Sequence, residues 1–164
     1  MIIKLIKDIK KQELESFDSG SEELDIFLKC FAHQNDKSGV GRTFVGFNNN
    51  QVVGFMTLCS GSIAFNQLPS ETNKKMPRYP IPAIRIARLA VDKRFQKQGF
   101  GKEFLEYCFE KVAAIADLTG VKLVIVDAKD ETFGFYKHYG FVSLPAKPNI
   151  LIMPIETVIK AINR

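Results

Sequence analysis

The sequence predicts a mixed α/β fold, in which a central mixed sheet is flanked by helices. Two runs rich in β-branched and aromatic residues, 42–47 and 51–59, flank Asn48-Asn49-Asn50 and predict a hairpin. Further along the chain, apolar runs typical of buried strands alternate with segments of helical periodicity. A hairpin followed by such alternation indicates one sheet covered by helices. The 164 residues suffice for one hydrophobic core, so we expect a single domain over residues 1–164.

The N-terminal part is predicted to contain one strand and one helix. Residues 2–6 alternate weakly between apolar and polar and predict the strand. Ser19 and Glu22 have the spacing of a capping box, with Ser19 as the N-cap. Apolar residues then recur at helical spacing and predict a helix over residues 22–35: Leu24, Phe27, Leu28 and Phe31.

The middle of the chain divides into an irregular segment and a buried strand. Residues 61–82 are predicted to be a long loop, because four prolines interrupt regular structure there: Pro69, Pro77, Pro80 and Pro82. Long irregular loops in compact domains are often functional. The β-branched content of residues 84–91 predicts a buried strand.

The C-terminal half predicts alternating helices and strands. The expected elements are a helix from Gly101 stopped by Gly120, a strand over 123–128, a helix over 132–138 with Asp130 or Glu131 near its start, strands over 141–144 and 150–153, and a final helix over 155–162.

Composition excludes several classes of protein. No run approaches the ~20 apolar residues of a membrane span, and the N-terminal apolar stretch is too short and interrupted for a signal peptide. Cys30, Cys59 and Cys108 lie in apolar contexts and predict buried thiols in a reducing compartment, hence a cytoplasmic protein. His33 and His138 lack the spacing of a zinc site, so no metal is predicted.

Positive charge is concentrated in residues 74–102. This segment contains nine Lys and Arg residues and a single acid, Asp92, so it carries +8, whereas the whole chain carries only +5. One interpretation is a solvated surface. The other is a phosphate-rich partner, which could be a cofactor, a nucleic acid or both.

A glycine-containing turn over residues 96–102 lies between a predicted strand and a predicted helix. Backbone N–H groups in such a turn, together with the helix N-terminus, favour phosphate, and glycines allow a ligand to approach the backbone. The turn is not a P-loop, because Glu103 follows Lys102 and Gln96 replaces the first glycine. It is not a dinucleotide fingerprint either, because Phe104 occupies the third glycine position. A helix entry that binds nothing remains the alternative.

Three motifs together resemble the GNAT family of N-acetyltransferases over about residues 40–153. They are Arg88-Leu89-Ala90-Val91-Asp92, then Gln96-x-x-Gly99-x-Gly101, then Phe135-Tyr136-x-x-x-Gly140-Phe141. The resemblance implies acetyl-CoA as the cofactor, held between a splayed pair of strands. The cofactor residues that it implies are Leu89, Ala90 and Val91 along the pantetheine arm, Gln96, Lys97, Gln98, Gly99, Phe100, Gly101 and Lys102 around the pyrophosphate, and Phe135.

The same resemblance implies that Tyr136 is the general acid. A phenol is protonated at neutral pH and can protonate the thiolate that leaves when an amine attacks the thioester. From the residues alone, Tyr136 could equally be a core aromatic that only packs. Many relatives place a carboxylate on the strand before the glycine turn, where it acts as a base. Here the charged residues of that strand are both arginines, Arg85 and Arg88. The missing base indicates an amine of low pKa, or deprotonation through water.

A narrower resemblance is to acetyltransferase toxins of bacterial type II toxin–antitoxin modules. It depends on Arg42-Thr43-Phe44-Val45, on Val53-Gly54-Phe55 and on residues 81–92. It implies the α-amine of aminoacyl-tRNA as the acceptor, a cognate antitoxin, and a homodimer. Candidate tRNA contacts are Lys74, Lys75, Arg78 and Arg85. The alternatives are that Arg85 and Arg88 brace the sheet or neutralise the cofactor, that the enzyme acetylates a small amine or a protein N-terminus, and that the domain binds acetyl-CoA without catalysis.

Overall fold

The computed structural model describes residues 1–163 and contains a seven-stranded mixed sheet with strand order β1-β2-β3-β4-β5-β7-β6. β4 pairs with β5 in parallel, whereas the pairs β1–β2, β2–β3, β5–β7 and β6–β7 are antiparallel. The predicted α/β class with a mixed sheet is therefore confirmed. The strands are β1 Ile2–Leu5, β2 Arg42–Asn48, β3 Gln51–Ile63, β4 Ile81–Val91, β5 Leu123–Asp127, β6 Val142–Ser143 and β7 Ile150–Pro154. The helices are α1 Glu22–Ile26, α2 Ala32–Lys37, α3 Ser70–Asn73, α4 Phe100–Ala116, α5 Asp130–His138 and α6 Ile155–Ile162.

The chain forms two compact units, each with its own core. The first unit comprises Met1–Cys59 and Ala87–Tyr107, and the second comprises Ser60–Ile86 and the chain from Cys108 onward. β3, β4 and α4 each contribute residues to both units.

Aromatic packing dominates the core of the first unit. The Phe55 ring meets Phe17 edge-on at 5.6 Å and stacks on Phe27 at 6.0 Å between centroids. Gly54 permits a close approach, because a Cβ at this position would lie 2.5 Å from the Ala90 carbonyl oxygen and 2.8 Å from the Phe104 ring. This contact packs the end of β4 and the start of α4 against β3, and so positions the segment that joins them.

The second unit is organised around β5. Its parallel pairing with β4 runs from Ala83↔Leu123 to Ile86↔Val126, and β7 pairs along its other side. Ile81, Leu123, Ile125 and Ile152 are fully buried there. The β4–β5 pairing ends at Ile86, so the last residues of β4 lie beyond the final pair.

The predicted helix over residues 22–35 is confirmed, but it contains a π-helical turn, and the predicted capping box at its start is wrong. α1 and α2 are separated by a π-helical turn, Phe27–Phe31. Ser21 occupies the N-cap position, and it makes no capping hydrogen bond. The Ser19 N–H and hydroxyl both donate to Asp25, at 2.9 and 2.6 Å, so the predicted capping box does not form. Because α1 begins at Glu22, Glu22 is its first residue and Ser19 lies before the N-cap, so the two cannot form the box.

The irregular segment predicted over 61–82 is shorter than expected and contains one short α-helix. β3 extends to Ile63, β4 begins at Ile81, and α3 lies between them. Pro69 precedes α3 as its N-cap residue, a place where a missing N–H removes no helical bond. α4 ends at Ala116, four residues before Gly120, because Leu118 and Thr119 both donate to the Ile115 carbonyl and close the helix.

Other predicted elements are confirmed. The hairpin turn places Asn49 and Asn50 at φ +49° and +61°, as a tight two-residue hairpin loop requires. The final helix has the predicted bounds. The cysteine prediction is only partly right: all three thiols are free, but Cys108 is buried, Cys59 is half-buried and Cys30 is exposed on the π-helical turn.

Candidate functional site

Asp92, the residue that follows β4, organises the segment between β4 and α4. Its side chain is fully buried. Oδ1 accepts hydrogen bonds from the Arg94 backbone N–H and Nε, both at 2.9 Å, and Oδ2 accepts from the Asp18 N–H and an Arg94 terminal nitrogen, both at 3.0 Å. Burial alone would raise the pKa of Asp92, but these hydrogen bonds outweigh it and lower the pKa.

The two glutamines of the turn stabilise the turn itself. Gln96 Nε2 donates to the carbonyl oxygens of Ser19 at 3.0 Å and of Val91 at 2.9 Å. Gln98 Nε2 donates to the Arg94 carbonyl at 2.9 Å. The side-chain amide nitrogens of both glutamines therefore already donate to backbone carbonyls. The donors that remain for a ligand at this turn are main-chain N–H groups.

Backbone N–H groups are the available donors of the turn. Lys97 and Gly99 have φ values of +61° and +92°, the left-handed conformation that builds concave sites for anions. The first backbone bond of α4 runs from the Glu103 N–H to the Gly99 carbonyl at 3.1 Å. Among residues 1–163, no acceptor forms a well-aligned hydrogen bond with the N–H groups of residues 97–102. These six donors, at the positive end of a helix, form a site suited to a phosphate.

Three cations near the turn form ion pairs. Lys93 pairs with Asp18 at 3.2 Å, Arg94 with Asp92 at 2.9 Å, and Lys102 with Glu106 at 3.4 Å. These pairs occupy three of the cationic side chains, while the backbone N–H groups of the turn remain as donors for an anion. Lys97 is exposed and adds a positive charge to the turn.

The end of β4 leads directly into this turn. Leu89, Ala90 and Val91 lie beyond the last β4–β5 pair, and the Ala90 side chain packs in the core of the first unit. The Asp92 N–H donates to the Val53 carbonyl at 2.9 Å, which holds the strand end against β3. An extended segment without a partner on one side can pair with another extended chain.

Tyr136 lies on α5 in the second unit and is almost completely buried, with 4% of its side chain exposed. Its ring meets Phe135 and Phe141 edge-on at 5.1 and 5.5 Å. Burial raises the pKa of Tyr136, and charge on Cys108 would raise it further, so the phenol stays protonated at neutral pH. No hydrogen bond engages its hydroxyl within residues 1–163, so this proton is available to a ligand.

Two neighbours of Tyr136 have packing contacts only. Phe135 is half-buried and also meets Tyr139 edge-on at 5.1 Å. Burial raises the pKa of Cys108 to about 12, so this thiol is neutral and unreactive.

The other predicted cations lie in different environments. Lys74, Lys75 and Arg78 are exposed between α3 and β4, and Arg85 is half-buried in β4. The Arg88 guanidinium lies 3.6 Å from the centre of the Phe27 ring. Burial lowers the pKa of Arg88, and this stacked position supports the interpretation that Arg88 braces the first unit.

Sequence reasoning missed the role of the 18–21 loop. The Asp18 carbonyl accepts a hydrogen bond from the Lys93 backbone N–H at 2.8 Å, and the Asp18 carboxylate forms an ion pair with the Lys93 side chain. The Ser19 carbonyl accepts a hydrogen bond from the Gln96 side-chain amide. These contacts join the loop before α1 to the turn after β4. Partners more than 70 residues apart left no local pattern in the sequence.

Two absences apply to residues 1–163. No cluster of three or more His, Cys, Asp or Glu side chains in this part of the chain could hold a metal ion. None of the helices formed by these residues has the length and hydropathy needed to cross a bilayer.

Residues 39–143 match the family model of the acetyltransferase (GNAT) domain. The chain belongs to the GNAT acetyltransferase family. It is therefore an acyltransferase, and the expected mixed-sheet GNAT fold is confirmed. Similar proteins include a tRNA-acetylating toxin from Mycobacterium tuberculosis, 36% identical over 86% of this chain and 85% of that protein.

Two solved structures extend the comparison. One is AtaT complexed with acetyl-methionyl-tRNAfMet, 27% identical with a TM-score of 0.88 over 98% of both chains. The other is AtaTR bound with AcCoA, 27% identical with a TM-score of 0.82 over 98% of this chain and 96% of that one. This GNAT protein thus resembles toxin acetyltransferases over almost its whole length.

Proposed function

We propose that this acetyltransferase moves an acetyl group from acetyl-CoA to the α-amine of aminoacyl-tRNA and so blocks translation as a toxin. The observation that carries the proposal is the row of free backbone N–H groups at residues 97–102, at the start of α4. The similarity to a tRNA-acetylating toxin directs the choice of acceptor.

The cofactor proposal follows from the chemistry of acetyl-CoA. Its diphosphate suits the six N–H donors, and its amide-bearing pantetheine arm suits the strand end at Leu89, Ala90 and Val91. The proposed contacts at the turn are the main chain of Lys97, Gln98, Gly99, Phe100, Gly101 and Lys102. Gln96 acts by holding the turn, since its side-chain amide already donates to two carbonyls. Phe135 is proposed to border the cofactor.

Tyr136 is the proposed general acid. The neutral amine attacks the thioester carbonyl carbon, a C–N bond forms, and the C–S bond breaks as the intermediate collapses. The phenol donates its proton to the departing thiolate sulfur, the nitrogen loses its own proton to water, and the resulting phenolate takes up a proton from solvent, which restores the enzyme. A free α-amine has a pKa of about 8, against about 10 for lysine, so a useful fraction of it is neutral without a dedicated base.

The remaining proposals concern partners. Residues 1–164 are proposed to act as one domain in the cytoplasm, where charged tRNA is found. Lys74, Lys75, Arg78 and Arg85 are proposed to contact tRNA phosphates. A cognate antitoxin and a homodimer are expected by analogy with toxins of this kind.

The decisive experiment uses radiolabelled acetyl-CoA with total charged tRNA, and in parallel with polyamines and peptides. We expect label in the tRNA fraction and its release together with the amino acid when the ester is hydrolysed. Label confined to polyamines or to peptide N-termini would favour a housekeeping acetyltransferase. No transfer to any acceptor, with acetyl-CoA binding intact, would favour a non-catalytic domain.

A further inference from the structure

A short basic loop, residues 74–80, lies between α3 and β4 and is attached at both ends. Met76 packs against the core of the second unit, and its N–H donates to the Asn73 carbonyl at 3.0 Å. Ile81, which follows the loop, is completely buried. Pro77 and Pro80 restrict the backbone on either side of the two residues between them. The loop therefore presents those two residues, Arg78 and Tyr79, to solvent.

The exposed side chains of this basic loop combine positive charge with one aromatic ring. Lys74, Lys75 and Arg78 are exposed, and none of them forms an ion pair with an acid of residues 1–163. Tyr79 is 62% exposed, and within the same residues its ring makes no aromatic or cation–π contact. Phe31, at 58%, is the other large aromatic residue among the exposed hydrophobic residues in that range, so Tyr79 is distinguished by its position among exposed cations.

We infer that Tyr79 stacks on an unpaired base of the RNA substrate while Arg78 contacts a neighbouring phosphate. The inference deepens the proposed function and rests on it. A free ring beside cations is the combination with which proteins bind single-stranded nucleic acid, because every base offers a face for stacking and every linkage a charge. Bases within a duplex are already stacked on each other. The 3′ end of a tRNA is unpaired and carries the reacting amino acid, so it supplies a base near the chemistry.

The test measures binding of uncharged RNA, so it does not depend on catalysis. Two fluorescent probes are used with the full chain: an intact tRNA, and the same tRNA with its unpaired 3′ nucleotides removed. Tyr79→Ala should weaken binding of the intact tRNA about 10-fold and leave binding of the shortened tRNA unchanged. Tyr79→Phe should bind both probes like the unmodified protein. Leu118→Ala, which changes an 87% exposed residue, is the matched surface control.

Arg78→Ala separates charge from stacking. It should weaken binding of the intact tRNA and reduce the magnitude of the slope of log K against log salt concentration by about one. Thermal unfolding and acetyl-CoA binding of each variant check that the fold is intact.

Specific outcomes would overturn the inference. They are an unchanged affinity of Tyr79→Ala for intact tRNA, or an equal loss of affinity for both probes. Failure of the proposed function looks different: the unmodified protein would bind tRNA in a Tyr79-dependent way but transfer no label to charged tRNA. If the unmodified protein bound neither probe, both the proposed function and the inference about Tyr79 would be wrong.

Discussion

Two basic regions of this protein use their charges in opposite ways. In the turn after β4, Lys93, Arg94 and Lys102 each pair with a carboxylate. In the basic loop before β4, Lys74, Lys75 and Arg78 have no such partners within residues 1–163. The turn thus holds its backbone rigidly and offers main-chain N–H groups, whereas the loop offers its side chains.

The comparison shows that the net charge of a segment does not describe a binding surface. From the sequence, the net charge of +8 on residues 74–102 was compatible with a cofactor, with a nucleic acid or with both. Ion-paired cations at the turn leave a small site of oriented dipoles, which suits a compact diphosphate. Free cations on an exposed loop suit an extended polyanion, whose binding weakens with salt.

Replacing Tyr136 by Phe has the largest expected effect, because it removes the proton donor and keeps the packing in the aromatic cluster. We expect acetyl transfer to fall by about 10²- to 10⁴-fold, with acetyl-CoA and tRNA binding retained and growth arrest on expression lost. The measurement is the labelled acetyl-transfer rate beside calorimetric binding. Full activity in Tyr136→Phe would exclude the phenol as the acid.

Replacing Gly101 by Asp tests the turn and should spare the basic loop. A carboxylate among the N–H donors repels a diphosphate, so acetyl-CoA affinity should fall by about 100-fold while binding of uncharged tRNA persists. Gly120→Asp is the control, because it adds the same charge at a glycine outside the left-handed region, where a Cβ would meet only the Pro82 ring, at 4.0 Å. Unchanged acetyl-CoA affinity in Gly101→Asp would show that the diphosphate binds elsewhere.

Replacing Asp92 by Asn should destabilise the first unit by about 2 kcal/mol at pH 7, because donors that face a buried carboxylate would meet an amide. The folded state lowers the pKa of Asp92, so its stabilisation is present above about pH 4 and is lost as pH falls through the lower folded pKa. The difference in the free energy of unfolding between Asp92→Asn and the unmodified protein, measured by urea denaturation, should therefore decrease below pH 4. As a control, Asp18→Asn, at an exposed carboxylate, should lower the free energy of unfolding by less. If the difference between Asp92→Asn and the unmodified protein did not depend on pH, ionised Asp92 would not be the stabilising group.

Replacing Gln96 by Ala has the smallest expected effect. Two hydrogen bonds to carbonyls are lost, so the turn should loosen and acetyl-CoA affinity should fall several-fold, with tRNA affinity unaltered. Gln98→Ala removes only one such bond and should be milder. Calorimetric titration with acetyl-CoA compares them. A larger loss of acetyl-CoA affinity in Gln98→Ala than in Gln96→Ala would contradict this prediction.

Local sequence patterns were sufficient for much of the fold and for the outline of the site. Asn48-Asn49-Asn50 specified a hairpin because asparagine tolerates positive φ, and two of these residues adopt it. The glycine turn ahead of α4 was visible because strand, turn and helix are contiguous. The spacing of the Gln96, Gly99 and Gly101 motif and the Phe135-Tyr136 motif indicated the family, which the match over residues 39–143 confirms.

The tertiary structure alone decided how the side chains of those motifs are used. Gln96 bonds to Ser19, 77 positions away, and Asp92 receives the N–H of Asp18, 74 positions away. The Arg88 guanidinium stacks on the Phe27 ring, and Cys30 is exposed despite its apolar neighbours. Each outcome depends on which distant group lies within about 3–4 Å, the range over which hydrogen bonds and ring contacts act. Periodicity along the chain carries no information about such distances, whereas the folded chain sets them directly.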